Sequence, residues 1–183
     1  IISTASESIV LGTADKGLFV KNDDAPFRQF ALGNTTSPWL FTMSEIKPDL
    51  VLLGTFGQGL IAVYIKTHEI RQISHNPLQP ASLADDNIWS TFTDSTGLVW
   101  IGTGHTLNIF DANNQSVINI FGGANVDKSL SNRKVHSVQS HDGELLVVTG
   151  NAGIEILSPI NGKTGQLWET SENPVETLHA AKN

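Results

Sequence analysis

An apolar β-type run ending in Gly-Thr, followed by a brief polar turn and a second apolar run, recurs four times along the chain. The copies are Ile9-Val10-Leu11-Gly12-Thr13, Leu52-Leu53-Gly54-Thr55, Trp100-Ile101-Gly102-Thr103 and the degraded Val147-Val148-Thr149-Gly150. Aligned on the threonines at 13, 55, 103 and 149, they are offset by 42, 48 and 46 residues, about the length of a four-stranded propeller blade. A period of that size implies one supersecondary unit that buries its faces against its neighbours.

The third unit is the clearest and serves as a ruler. Residues 87–93 are β-rich, Asp94-Ser95-Thr96-Gly97 supplies a turn, and 98–103 form a second run whose Val-Trp-Ile core suits a buried strand. Residues 106–110 and 116–121 then predict a third and a fourth strand. The second unit follows the same order at 39–43, 50–55, 59–65 and 69–73, and the fourth at 135–139, 144–149, 153–157 and a weak 166–168. Laid on the third unit, Ile2 falls opposite Phe92, so the first blade lacks most of its inner strand before 9–13, 17–21 and 27–30. The expected fold is all-β, a β-propeller segment of about four four-stranded blades near 1–33, 34–78, 79–127 and 128–171. Asn173-Pro174-Val175-Glu176-Thr177-Leu178 aligns on residues 87–92, so 172–183 read as either a closing strand for the first blade or the start of a further blade. Closure would remove exposed sheet edges; continuation is the expected reading and makes this a cut from a larger propeller.

Composition narrows the partners. The formal charge is −7, the three arginines Arg28, Arg71 and Arg133 lie in separate units, and the lysines are scattered singly, which argues against nucleic acid. There is no cysteine, hence no disulfide or thiolate metal site. No apolar run reaches the roughly 18 residues of a membrane span, and Ile1-Ile2-Ser3 shows neither an initiator Met nor a basic leader. Any anchor or signal is therefore expected outside this piece.

The stretch Pro80-Ala81-Ser82-Leu83-Ala84-Asp85-Asp86-Asn87-Ile88-Trp89-Ser90-Thr91-Phe92-Thr93-Asp94-Ser95-Thr96-Gly97-Leu98-Val99-Trp100-Ile101-Gly102-Thr103 resembles the two-component regulator propeller repeat. That family's pattern is a Ser-Leu-x-x-Asn lead, an inner strand with Val or Ile, Asp-x-x-Gly, Leu-Trp-Ile-Gly-Thr and a Gly-Leu strand. Echoes are Gly54-Thr55 with Gly59-Leu60, Gly12-Thr13 with Gly17-Leu18, and Ser129-Leu130-Ser131-Asn132 leading to Asp142-Gly143. Departures are Leu52 in place of Trp, the extra Ile46-Lys47-Pro48 in the second unit's hairpin, and Val148-Thr149-Gly150. The resemblance implies a periplasmic sensor propeller, usually seven-bladed, ahead of a membrane segment and a histidine kinase or diguanylate cyclase output, so the larger propeller expected here is seven-bladed.

Asp94-x-x-Gly97 reads as a turn, with aspartate accepting local backbone hydrogen bonds and glycine supplying positive φ. It differs from the sialidase Asp-x-Gly spacing. The histidines at 68, 75, 105, 136, 141 and 179 form no recognised ligand pattern, although 136 and 141 straddle an expected hairpin turn; no metal or cofactor is implied. Trp100 and its strand read as inter-blade core. Trp39 and Trp89 take equivalent places near the starts of inner strands, where His136 replaces them in the fourth unit. Indole faces suit sugar rings, and Trp168 shares that chemistry. The loops entering the inner strands and those joining second to third strands carry the candidate ligand-binding residues Trp39, Gln58, Asp86, Trp89, His105, Arg133 and His136. The expected function is non-catalytic sensing of a small polar ligand, a saccharide among the candidates, with homodimerisation or packing against further blades. The alternatives are a protein-interaction scaffold and a propeller lyase or hydrolase.

Overall fold

The computed structural model describes residues 1–33, 38–114, 116–120, 130–132, 134–150, 153–158 and 162–168. Among them are sixteen strands in four antiparallel sheets, each a meander in chain order. The first sheet is β1 (Ile2–Ser3), β2 (Ile9–Gly12), β3 (Leu18–Lys21) and β4 (Arg28–Phe30). The second is β5 (Leu40–Lys47), β6 (Leu50–Thr55), β7 (Leu60–Tyr64) and β8 (Ile70–Ile73). The third is β9 (Ile88–Thr93), β10 (Leu98–Thr103), β11 (Leu107–Asp111) and β12 (Ser116–Ile120), and the fourth is β13 (Val135–His141), β14 (Glu144–Thr149), β15 (Gly153–Ser158) and β16 (Gly162–Trp168). These are propeller blades, the first with the two-residue inner strand that the alignment of Ile2 implied.

Each sheet packs face to face on the next, which explains why the second strands lack polar alternation. All of β6 is buried. Val51 and Leu53 join Val10, Leu18, Val20 and Phe30 of the first sheet, whereas Leu50 and Leu52 join Ile88, Val99, Ile101 and Phe110 of the third. A strand covered on both faces reads as a continuous apolar run. The third cluster sets Trp100 and Leu107 against Val135, Val138, Leu145, Val147 and Leu157 of the fourth sheet. Each fully buried side chain of this kind contributes about 1.5–3 kcal/mol of transfer free energy. Among the described residues no buried cluster joins the first sheet to the fourth.

The Gly-Thr repeat has a physical cause at both of its positions. A Cβ at Gly54 would stand 2.4 Å from Thr42 and 2.7 Å from Ile88, and one at Gly102 would stand 2.7 Å from Val135, so glycine lets the following sheet's inner strand cross closely. The threonine hydroxyl then ties the turn into the third strand: Thr13 Oγ1 donates to Gly17 O, Thr55 Oγ1 to Gly59 O and Thr103 Oγ1 to Thr106 O, at 2.7–2.9 Å. Backbone amides of Lys16, Gln58 and Thr106 donate back to the same hydroxyls. In the fourth unit Val148 takes the glycine position, no described sheet follows, and Thr149 Oγ1 donates instead to Glu155 at 2.9 Å.

Three expectations are corrected. Ile46 and Lys47 are not additional hairpin residues; β5 extends through them, and Asp49 makes the turn at φ 63°. The last strand of the fourth blade is a full 162–168 rather than a short 166–168. His136 and His141 do not straddle a turn, because both belong to β13, at opposite ends. The proposed closing or continuing strand at 172–183 lies outside the described residues.

Candidate functional site

The three described inner strands that run full length share one defect. In β5 the register shifts between Leu40 and Thr42, in β9 between Ile88 and Ser90, and in β13 between Val135 and Ser137. The skipped residues are Phe41, Trp89 and His136, each at a β-bulge that turns its side chain away from ladder alternation. They are structural equivalents. Trp39 is therefore not the counterpart of Trp89, contrary to the sequence alignment. Its carbonyl accepts Phe56 N–H at 3.0 Å, as Asn87 O accepts Gly104 N–H and Lys134 O accepts Gly150 N–H, so Trp39 corresponds to Asn87 and Lys134. Because β5 and β9 carry the same bulge, matching tryptophan to tryptophan puts the two strands two residues out of register.

These positions build a continuous aromatic surface across three blades. Phe41 lies 5.2 Å from Trp89 between ring centroids, and Trp89 lies 6.2 Å from His136. Phe56, from the turn after β6, reaches Trp39 at 6.5 Å, Phe41 at 6.0 Å and Trp89 at 6.0 Å. Lys134 Nζ stands 5.3 Å from the Trp89 ring centroid, a cation–π distance. Trp39, Phe41 and Phe56 are 57%, 47% and 50% exposed, contiguous apolar area of the kind that marks a binding surface. Phe41 was missed in the sequence, whereas Phe56 lies in the loop 56–58 of the expected binding face, from which only Gln58 was taken as a candidate. Counting back from the anchoring threonines finds the first, since Phe41 precedes Thr55 by the same interval as Trp89 precedes Thr103.

The other candidates divide by role. Asp86 is structural: Oδ1 accepts His75 N–H at 2.6 Å, and its carbonyl accepts Gly57 and Gly59 N–H, lashing the turn of the second blade to the lead of the third. Gln58 lies in that turn, its carbonyl accepting the Gln72 side-chain amide at 2.9 Å. His105 is exposed on the turn after β10, with Nδ1 2.8 Å from Asp85 Oδ2. Arg133 and the side chain of Trp168 lie outside the described residues. Asp94 is a turn residue, accepting Thr96 N–H, Thr96 Oγ1–H and Leu98 N–H. Trp100 is core, 1% exposed. Among the described residues no three His, Asp or Glu converge as a metal-ligand set.

A polar clamp recurs behind the surface. Asn108 on β11 accepts Ala84 N–H at 3.0 Å, and the equivalent Glu155 on β15 accepts Ser131 N–H at 3.0 Å and Ser131 Oγ–H at 2.8 Å. Each holds a Ser-Leu lead in place, with Leu83 and Leu130 fully buried between sheets.

No family model matches the chain, and no curated protein matches it. Solved structures do. The extracellular domain assigned to the hybrid two-component system BT3049 of B. thetaiotaomicron superposes with TM-score 0.70 at 16% identity, over 94% of this chain and 22% of that one. That of BT4673 from the same organism gives 0.72 at 18%, over 94% and 22%. The computationally designed Ika8 protein gives 0.64 at 15%, over 96% of this chain and 50% of its own. The chain thus spans about a fifth of the length of the two bacterial domains. At these identities the likeness establishes the fold: an arc of four propeller blades like those of bacterial extracellular two-component domains.

Proposed function

We propose that the chain is a non-catalytic sensory segment of a periplasmic, membrane-anchored signalling protein, and that its aromatic surface binds a saccharide. One observation carries the reading: Phe41, Trp89 and His136 share a bulge position on three successive inner strands and meet Trp39 and Phe56 in one exposed platform. Flat apolar faces stack on the C–H faces of sugar rings, while indole and imidazole edges address hydroxyls. The likeness to extracellular domains of two-component systems supports the location and the sensory role. A ligand touching three sheets at once has different affinity for different blade arrangements, which is the requirement for transmitting a signal. The absence of a link between the first and fourth sheets among the described residues favours a stretch of a larger ring, packed on further blades.

The test is a tryptophan-fluorescence titration with cellotriose, maltotriose and xylotriose. Saturable quenching or blue shift, abolished by Trp39→Ala or Phe56→Ala, supports the reading. A flat titration with all three overturns it and transfers the exposed patch to the interaction-scaffold alternative, which the half-exposed Trp39, Phe41 and Phe56 would then serve.

A further inference from the structure

Beside the platform, three polar groups meet over Gly104. Asp85, only 8% exposed on the segment leading into β9, accepts Asn87 N–H and Asn87 Nδ2–H through Oδ1, both at 3.0 Å. Its Oδ2 faces His105 Nδ1 at 2.8 Å, and that imidazole is 69% exposed. A Cβ on Gly104 would stand 2.4 Å from Asp85 Oδ2 and 3.7 Å from Trp89 Nε1, so the missing side chain is what brings carboxylate and indole N–H to one notch. Trp89 Nε1 is closed off from solvent and has no hydrogen-bond partner among the described residues.

The chemistry of the pair fixes a tautomer. A carboxylate only accepts, so a neutral His105 must carry its proton on Nδ1, which leaves Nε2 as an exposed acceptor. The notch therefore offers one exposed acceptor, His105 Nε2, at the edge of an aromatic face. We infer that it reads the hydroxyl groups of a saccharide seated on the platform. His105 Nε2 accepts a hydroxyl proton, and Asp85 is the positioning residue that holds the imidazole in the accepting form. The inference rests on the saccharide reading of the platform and adds the groups that orient the sugar.

Asp85→Asn separates positioning from packing. The two Asn87 donors keep Oδ1 in place, so the new amide N–H₂ faces His105 and forces the proton onto Nε2, turning acceptor into donor. Long-range ¹H–¹⁵N spectra of the histidine side chains, recorded above neutral pH and assigned by loss of signal in His105→Ala, should show the Nδ1–H form in the wild type and the Nε2–H form in Asp85→Asn. Affinity for whichever of cellotriose, maltotriose and xylotriose binds should fall roughly three- to tenfold in Asp85→Asn and His105→Ala, the loss of about one neutral hydrogen bond. An Nε2–H wild type, or unchanged affinity in both variants while Trp39→Ala still abolishes binding, overturns the notch and leaves the platform standing. Absence of binding by the wild type overturns both. His105→Ala alters an exposed side chain, so its result does not depend on the fold of Asp85→Asn.

Discussion

The Asp94 carboxylate accepts the indole N–H of Trp100 at 2.8 Å, tying the first hairpin turn of the third blade to the largest fully buried side chain in the described structure. Burial of the carboxylate pushes its pKa up, but the hydrogen bonds from Thr96, Trp100 and Leu98 outweigh it and hold Asp94 below the ordinary aspartate value. A depressed folded pKa contributes stability that is fully present above the unfolded value of about 4 and is lost as pH falls through the folded one. Urea midpoints at successive pH values should therefore decline below about pH 4 more steeply in the wild type than in Asp94→Asn. At neutral pH, Asp94→Ala strands a buried indole N–H and should cost about 1–3 kcal/mol. Equal acid slopes for wild type and Asp94→Asn would mean that the carboxylate is not held by these bonds.

Two glycines in one turn separate conformational strain from steric exclusion. Gly57 and Gly59 both have positive φ, 81° and 71°. A Cβ on Gly57 meets nothing within 4 Å, whereas one on Gly59 would stand 2.3 Å from the carbonyl oxygen of Ile73, which is backbone and cannot turn aside. Gly57→Ala should cost about 1 kcal/mol, the strain of a left-handed alanine. Gly59→Ala should cost several-fold more, because the edge between β7 and β8 must open. Chemical denaturation of the two variants side by side decides the order.

Platform residues should behave oppositely to core residues. Trp39 and Phe56 are half-exposed, so replacing either with alanine should lower the melting temperature by only a few degrees, about 1 kcal/mol or less. Trp100→Ala should cost about 3–5 kcal/mol, since it empties space between the third and fourth sheets. If the half-exposed pair proves as costly as Trp100, the platform is a packing element rather than a binding surface.

The contrast between what was legible and what was not follows from these positions. β6 and β10 match the expected 50–55 and 98–103 because close crossing demands glycine and the turn demands a threonine hydroxyl, so chemistry fixes residue identity, while β14 matches 144–149 with Val148 at the glycine position and only the threonine kept. The inner strands were less legible because a bulge costs one unpaired residue and leaves no compositional mark. Phe41, Trp89 and His136 occupy one structural position with three different side chains. Asp85 reads in sequence as one of two acidic loop residues, and the obvious choice was its neighbour Asp86. The distinction lies in long-range partners, His75 for one and His105 for the other.

The paired clamps Asn108 and Glu155 make a last, comparative prediction. Both are fully buried on third strands, and both hold the lead that plugs Leu83 or Leu130 between sheets. Asn108→Ala removes one acceptor from Ala84 N–H and should cost about 1–3 kcal/mol. Glu155→Ala removes the acceptor shared by Ser131 N–H, Ser131 Oγ–H and Thr149 Oγ1–H, so several buried donors lose their partner together and about 3–5 kcal/mol is expected. The damage should be local in each case. Hydrogen exchange should quicken at Ala84 in the first variant and at Ser131 and the start of β13 in the second, with β6 and β7 unchanged in both. Glu155→Gln, which keeps one acceptor oxygen, should recover part of the loss. Uniform acceleration across all four blades would instead mean that the clamps stabilise the arc as a single cooperative unit.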